Sequence, residues 1–240
     1  MWCSPPVDLI LLPNEVHVWQ ANLDLPVQQL QKLLETLSIE EQERAERFRF
    51  EQHRQRFTAS RGILRALLGH YLGVTAKEVQ FCYGNHGKPA LAEKWCNRTL
   101  QFNLSHSEHL ALYALAWNRQ VGIDLEHIRP ATDIEQISKR FFIAQEYADL
   151  IALPQKQQRE AFFRYWTCKE AYLKAIGDGI AGLSQVEISF SNPKAPCVIW
   201  YGGDSYSSQT WSLQTLAPAP NYTGALAVEG YDWQLSCWQW

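Results

Sequence analysis

Two stretches of the chain run the same course: RGILRALLGHYLGVTAKEVQF at 61–81 and CKEAYLKAIGDGIAGLSQVEISF at 168–190. Each is a helix-like segment, then a glycine-containing stop, then a Val-containing strand. Each is followed by more strands, ending in the paired runs LALYALA and TGALAVE. This recurrence constrains the fold more than any other feature, because a duplicated unit implies two halves and a junction between them. The junction falls near residue 121, at the strand Gly122-Ile123-Asp124-Leu125-Glu126. Ligand clefts tend to form at such interfaces. Chance recurrence, common among α+β chains, is the alternative.

A length of 240 residues suits one large domain or two compact halves with a substantial core. Hydrophobic content of 46% and charged content of 20% are those of an ordinary soluble globular protein. The net charge of -3 argues against a general nucleic-acid binder, which would carry a strongly basic domain. The first residues, Met1 to Leu12, lack a basic region and contain Pro5 and Pro6, so they do not read as a signal peptide. No apolar run approaches the ~20 residues of a membrane span. The six cysteines (3, 82, 96, 168, 197 and 237) are scattered without a C-x-x-C pair, which favours buried free thiols over disulfides or zinc ligation. The expected compartment is the cytoplasm, and the Trp-rich C-terminus reads as packing.

Along the chain, Val16-His17-Val18-Trp19 alternates as a strand and Leu30 to Leu37 is apolar at helical spacing. Ser38-Ile39-Glu40-Glu41 has the form of a capping box, followed by a helix broken once that runs through Arg65 to Tyr71 and ends near Gly73. Val79-Gln80-Phe81 begins a strand, Gly84 to Pro89 is a loop, and Gln101 to Leu104 is strand-like. Leu110 to Trp117 and Val121 to Glu126 are strands joined by Asn118-Arg119-Gln120. After Pro130, Asp133 to Leu150 is mostly helical and Pro154 lies in a Gln-rich surface loop. Ala161 to Ile176 is a helix closed by Gly177-Asp178-Gly179, and Val186 to Phe190, Ser212 to Leu216 and Gly224 to Val228 are the last strands expected.

In a strand, Asp124 and Glu126 share a face that Ile123 and Leu125 avoid. Two neighbouring carboxylates repel, and a divalent cation relieves the repulsion by accepting both. Taken alone, the pair also fits a solvated face. Glu170 lies on a helix face with Phe163, Trp166 and Leu173, where an acid needs a partner. A plain salt bridge to Lys174, worth ~0.3–0.5 kcal/mol, is one answer. Joining Asp124 and Glu126 as third ligand of Mg²⁺ is the other. In Phe102-Asn103-Leu104-Ser105-His106-Ser107, adjacent strand residues face opposite ways, so Ser105 and His106 do not form a nucleophile pair. A polar turn that holds phosphate competes with a merely satisfied turn. His106-Glu108-His109 lacks matching zinc ligands. Arg44, Arg47, Arg49, Arg54, Arg56, Arg61 and Arg65 are concentrated in one stretch, with pairs seven apart recurring on one helix side. Either phosphate contacts or a face balanced by Glu40, Glu41, Glu43 and Glu46 accounts for them. Gly87-Lys88-Pro89 is a loop signal of low specificity.

The strings GKP (87–89), FNLSHS (102–107), GIDLE (122–126), RFF (140–142) and WTCKEAYLKAIGDGI (166–180) together resemble the Sfp-type 4'-phosphopantetheinyl transferases, among them the cyanobacterial heterocyst-type members. The resemblance spans nearly the whole chain. It implies an α+β fold of two pseudo-twofold-related α/β halves, each a small, mostly antiparallel sheet on a long helix, with the active site in the cleft between them. Residues 1–121 would form the coenzyme A 3'-phosphate and adenine side, and 122–240 the metal and carrier-protein side. The implied reaction moves phosphopantetheine from coenzyme A to a serine of an acyl or peptidyl carrier protein and releases 3',5'-ADP. By resemblance Asp124, Glu126 and Glu170 hold Mg²⁺ or Mn²⁺, and Lys174 contacts the pyrophosphate and assists the leaving group. Ser105 and His106 contact phosphate, Lys88 lines the adenine and 3'-phosphate end, and Arg56 matches the 3'-phosphate arginine. Arg44 falls near a basic position of the family. Glu170, directly or through a metal-bound water, takes the serine proton. An acidic apo-carrier would dock near Ile128 to Tyr147. The family default is a monomer, with no nucleic-acid or membrane partner.

Two rivals use the same residues. A Mg²⁺-dependent hydrolase of nucleotide pyrophosphates would use the three acids with water as nucleophile. A coenzyme A-binding or carrier-binding scaffold would retain its function without Asp124.

Overall fold

The computed structural model describes residues 2–84, 87–92, 100–130, 132–190, 196–202 and 210–240. Cys96 and part of the loop 84–89 lie outside the described residues. The fold is α+β, and its two longest helices are 22 residues each: α3, Glu51–Leu72, and α6, Gln155–Ile176. Both stop on a glycine in the left-handed region, Gly73 at φ 69 and Gly177 at φ 80, a geometry that costs any other residue its Cβ contact. A 3₁₀ turn follows each, Ala76–Glu78 and Ile180–Gln185, and then a two-stranded ribbon. The first ribbon is β2, Phe81–Tyr83, with β3, Pro89–Leu91; the second is β7, Val186–Ser189, with β8, Cys197–Tyr201. Next come antiparallel pairs, β4 (Leu100–Ser107) with β5 (Leu110–Trp117), and β9 (Trp211–Leu216) with β10 (Tyr222–Glu229). The element order of the first recurrent stretch is thus repeated in the second.

Each pair then sends its next strand into the other half. β6, Val121–His127, follows β5 but pairs antiparallel with β10. β11, Gln234–Gln239, follows β10 but runs parallel to β1, Glu15–Asn22, which itself pairs with β5. The sheets are therefore β11-β1-β5-β4 and β6-β10-β9. The strand β11 has no counterpart among the sequence expectations, and β5 and β6, although consecutive, do not share a sheet.

Burial follows this arrangement. On β5, Ala111, Tyr113 and Leu115 face the core under α3, whereas Leu110, Leu112, Ala114 and Ala116 face a second core between the sheets. Both faces are covered, so the run is continuously apolar. On β6, Ile123 and Leu125 join the inter-sheet core, leaving Asp124 and Glu126 on the opposite face. There α6 packs, with Ala171 and Ala175 against Ala225 and Ala227 of β10.

The helices before each long helix also correspond. α2, Ile39–Glu46, starts with the expected capping box: Ser38 Oγ accepts from the Glu41 N–H, and Glu41 accepts from the Ser38 N–H. The same Glu41 pairs with Arg65 at 2.6 Å, and Arg65 donates to the carbonyls of Ala76 and Val79. In the second half Glu146 of α5, Ala144–Ala152, pairs with Lys169 at 2.6 Å, and Lys169 donates to the carbonyls of Leu183 and Val186. Arg65 and Lys169 each sit eight residues before the glycine stop. Each half is locked by a buried cation that ties helix, capping acid and 3₁₀ turn together.

Several expectations change. The 102–107 segment is strand β4, not a polar turn. Arg47 and Arg49 fall in the break between α2 and α3, so of the arginine pairs seven apart only Arg54 and Arg61 share a helix. Arg61 and Arg65 are buried against Glu41, so both are engaged in the fold. Residues Gln155 to Glu160 form the exposed first turns of α6, because Pro154 as N-cap starts a helix as readily as it breaks one. Cys168 is a buried free thiol as expected, but Cys3 and Cys82 are exposed.

Candidate active site

The site is built where β4, the edge of one sheet, lies along β6, the edge of the other. Side chains close this seam. Asn103 Oδ1 accepts from the Ile123 N–H at 2.9 Å, and Ser107 Oγ accepts from the His127 N–H at 3.1 Å. The alternation Asn103, Ser105, Ser107 puts all three on the β6 side, while Phe102 and Leu104 face the α3 core. Ser105 Oγ donates to Asp124 Oδ1 at 2.9 Å, and Ser107 Oγ donates to Glu126 Oε2 at 3.2 Å.

From the other side α6 lies unusually close to β6. A Cβ on Gly122 would stand 2.0 Å from the Ala171 carbonyl oxygen and 2.4 Å from the Ala175 nitrogen. The missing side chain lets Glu170 and Lys174, which flank that contact on the helix, reach the carboxylate strand. Lys174 Nζ is 2.6 Å from Asp124 Oδ1 and 3.0 Å from Ser105 Oγ. Its ammonium is thus directed across the cleft to Asp124, not spent on a simple helix-surface pair with Glu170.

Electrostatics mark the place. Asp124 is 3% exposed, and its second oxygen, Oδ2, is buried without a hydrogen-bond partner among the described residues. Burial and then the Asp124 charge push Glu170 up to about 7, with Lys174 opposing and Glu126 adding to the shift. Burial and Asp124 also raise Glu126 above the ordinary carboxylate range. The three acids therefore feel one another in a water-poor seam. Among the described residues, no three His, Cys, Asp or Glu side chains stand close enough to hold a metal ion as placed. Like charges keep their distance, and Lys174 meanwhile neutralises one Asp124 oxygen. The donor set nevertheless fits a hard divalent cation: all-oxygen ligands, mutually repelling, one of them an orphaned buried oxygen.

The remaining residues singled out in the sequence divide. Lys88 Nζ donates to the Ala175 carbonyl at 2.9 Å, so the GKP loop is tied to the end of α6, and burial lowers Lys88 to about 8. His106 lies exposed at the cleft, where surrounding protein, Lys174 and Arg56 hold its pKa below the usual imidazole value. Arg56 is paired through Nε and Nη2 with both oxygens of Asp24 and through Nη1 with Glu108. Arg44 lies over the Phe57 ring, and it lines a cavity of about 650 Å³ with Arg61, Lys77 and Tyr83 between α2, α3 and β2. A smaller cavity of about 200 Å³ opens beside Glu126, lined by Arg129, Ile137, Phe162, Phe163 and Trp166. Sequence reasoning gave Asn103 and Ser107 no more than a share in a phosphate-holding turn, and assigned no role to Asp24 or Glu108. The period-two polar pattern of 103, 105 and 107 could have revealed the first two, but no local signal points to the last two.

A family model described as the 4'-phosphopantetheinyl transferase superfamily matches residues 120–227, and one described as 4'-phosphopantetheinyl transferase, N-terminal, matches residues 20–118. The chain is 49% identical over 239 residues to the 4'-phosphopantetheinyl transferase HetI of a Nostoc species, covering 100% of this chain and 98% of that protein. It is 33% identical to the 4'-phosphopantetheinyl transferase psf-1 of Bacillus pumilus, over 77% of this chain and 78% of that one. A solved holo-(acyl-carrier-protein) synthase from Bacillus anthracis overlaps 46% of this chain and 94% of its own at 20% identity and a TM-score of 0.38.

Proposed function

The chain belongs to the 4'-phosphopantetheinyl transferase superfamily, and we infer from this premise that it transfers the phosphopantetheine arm of coenzyme A to a serine of an acyl or peptidyl carrier protein. The serine oxygen bonds to the phosphorus nearest the pantetheine as the bond to the bridging oxygen breaks, releasing 3',5'-ADP. The observation that carries this reading to particular residues is the buried Asp124 Oδ2, without a partner among the described residues, beside two carboxylates of raised pKa and an ammonium.

In our assignment Asp124, Glu126 and Glu170 hold Mg²⁺ or Mn²⁺, which when bound neutralises charge on the pyrophosphate. Lys174 contacts the same pyrophosphate and stabilises charge on the departing nucleotide, with Ser105 as its neighbour at 3.0 Å. Ser105 and His106 contact phosphate, Lys88 serves the adenine end, and Arg56 takes the 3'-phosphate. Glu170, directly or through a water, accepts the serine proton; its rise to about 7 belongs to the metal-free site, and a bound cation would lower it. Because phosphoryl transfer asks mainly for positioning and charge stabilisation, the rigid β4–β6 seam and the close α6 contact supply most of what the chain itself contributes.

The division of labour follows the two halves, with 1–121 on the nucleotide side and 122–240 on the metal and carrier side. The gap between the two family matches at 118–120 supports that border. The carrier docks near Ile128 to Tyr147, apart from residue 131, which lies outside the described residues. The apolar cavity beside Glu126 and the exposed Lys139 and Arg140 of α4, Ile134–Phe141, suit an acidic carrier with an apolar helix. Alanine at those exposed positions should raise the carrier KM; an unchanged KM would count against this docking face. We read the protein as a cytoplasmic monomer; among the described residues no helix is long and apolar enough to cross a membrane.

The decisive experiment incubates apo-carrier with coenzyme A and the protein, then weighs the carrier by mass spectrometry. A gain of one phosphopantetheine arm, with 3',5'-ADP appearing only when carrier is present, supports transfer. Release of 3',5'-ADP without carrier would identify a pyrophosphate hydrolase, and retained function in Asp124→Ala would identify a scaffold.

A further inference from the structure

The turn between β4 and β5 carries Glu108 at φ 50, in the left-handed region that glycine enters freely and a side chain resists. Its carboxylate lies between two guanidinium groups, Arg56 Nη1 at 3.4 Å and Arg129 Nη2 at 3.6 Å. The opposite edge of Arg56 is fully engaged, since Asp24 accepts from Nε at 2.7 Å and from Nη2 at 2.9 Å. Asp24 therefore fixes the guanidinium with its Nη1 end pointing to Glu108. The Arg56 charge also reaches His106, the other group assigned to phosphate on this side of the cleft. An acid stands at their open end.

We propose that Glu108 is a displaceable competitor for Arg56: the 3'-phosphate of the nucleotide binds by turning the carboxylate over to Arg129. The proposal rests on the assignment of the 3'-phosphate to Arg56. A phosphate dianion outcompetes a carboxylate for a guanidinium, but it must first displace that carboxylate or tolerate a like charge beside it. Arg129 gives the displaced group a second partner close to where it already lies, so the exchange needs little movement. Substrate and product carry the same 3'-phosphate. Glu108 therefore loosens coenzyme A and 3',5'-ADP alike, which favours release of the spent nucleotide. The strained φ is retained because only a residue with a side chain can serve both arginines.

The test compares coenzyme A with dephospho-coenzyme A, which lacks the 3'-phosphate, in steady-state transfer to an apo-carrier, with 3',5'-ADP as inhibitor. Glu108→Gln and Glu108→Gly should both lower the KM for coenzyme A and the inhibition constant of 3',5'-ADP by about three- to tenfold at low salt. The shift should shrink at high ionic strength. The KM for dephospho-coenzyme A should stay where it was. The glycine variant also suits the backbone at φ 50, so misfolding cannot account for a null result. If neither constant moves, or if both nucleotides shift equally, Glu108 does not compete for Arg56. Arg56→Ala separates the premise from the proposal: it should raise the KM for coenzyme A far more than that for dephospho-coenzyme A. Equal effects there would remove the 3'-phosphate assignment itself.

Discussion

Substituting alanine for Gly122 should damage stability and catalysis together, for one geometric reason. The added Cβ would lie 2.0 Å from the Ala171 carbonyl oxygen, 2.4 Å from the Ala175 nitrogen and 2.8 Å from the Ala175 Cα. All three obstacles are backbone atoms of α6, so no rotamer change makes room. Restoring an ordinary 3.4 Å contact from 2.0 Å requires the helix to retreat from β6 by roughly 1.4 Å. Overpacking of this kind costs about 1–3 kcal/mol, which for a chain of this size lowers Tm by about 2–6 °C. The same retreat draws Lys174 away from Asp124, where the two now stand 2.6 Å apart, and moves Glu170 with it. A misplacement of ~1 Å among reacting groups can cost on the order of 100-fold in rate. The assay is holo-carrier formation by mass spectrometry beside thermal unfolding. Gly73→Ala is the control: φ 69 is strained for alanine but its Cβ meets nothing within 4 Å, so Tm should fall while kcat persists. A Gly122→Ala protein with unchanged kcat would refute the claim that this close approach positions the site.

Glu170→Gln should abolish transfer while coenzyme A binding survives, whereas equal loss of both would point to a purely structural role. Since burial and Asp124 hold the Glu170 carboxyl at about 7 against an ordinary 4.5, the folded metal-free protein keeps a proton that the unfolded chain gives up. Its stability therefore declines as pH rises from about 4.5 to 7, by roughly 3 kcal/mol, and Glu170→Gln should remove that decline in urea titrations at a series of pH values. Lys169→Met leaves the Glu146 charge without its cation and two carbonyls unpaired, which should cost about 3–5 kcal/mol; adding Glu146→Leu removes the orphaned charge but unpairs the Ile143 and Ile188 N–H groups, so only part of the loss is recovered. Burial lowers Lys88 to about 8, so kcat/KM for coenzyme A should fall above pH 8, and Lys88→Arg should shift that limb upward beyond the working range.

Much of this was readable before any coordinates. The Ser38–Glu41 capping box, the glycine stops at Gly73 and Gly177 and the shared face of Asp124 and Glu126 all depend on residues within about four positions of each other. The paired recurrence of helix, stop and strand was visible for the same reason, since each copy is locally encoded. What stayed hidden depends on distant partners. Arg61 and Arg65 look like phosphate ligands until Glu41 is brought against them. Glu108 looks like any turn residue until Arg56 and Arg129 flank it. The segment 102–107 looks like a turn until Asn103 and Ser107 meet the backbone of β6.

Alone, then, the chain's order of residues determined the kinds of groups available, the faces on which they lie and the local stops that shape each half. The tertiary structure decided which strand crosses to which sheet, because backbone hydrogen bonds are the same for every residue and only burial of both sheet faces selects among pairings. It also decided that, among the described residues, one Asp124 oxygen is buried without a partner, a property set by everything packed around it and by no neighbour along the chain.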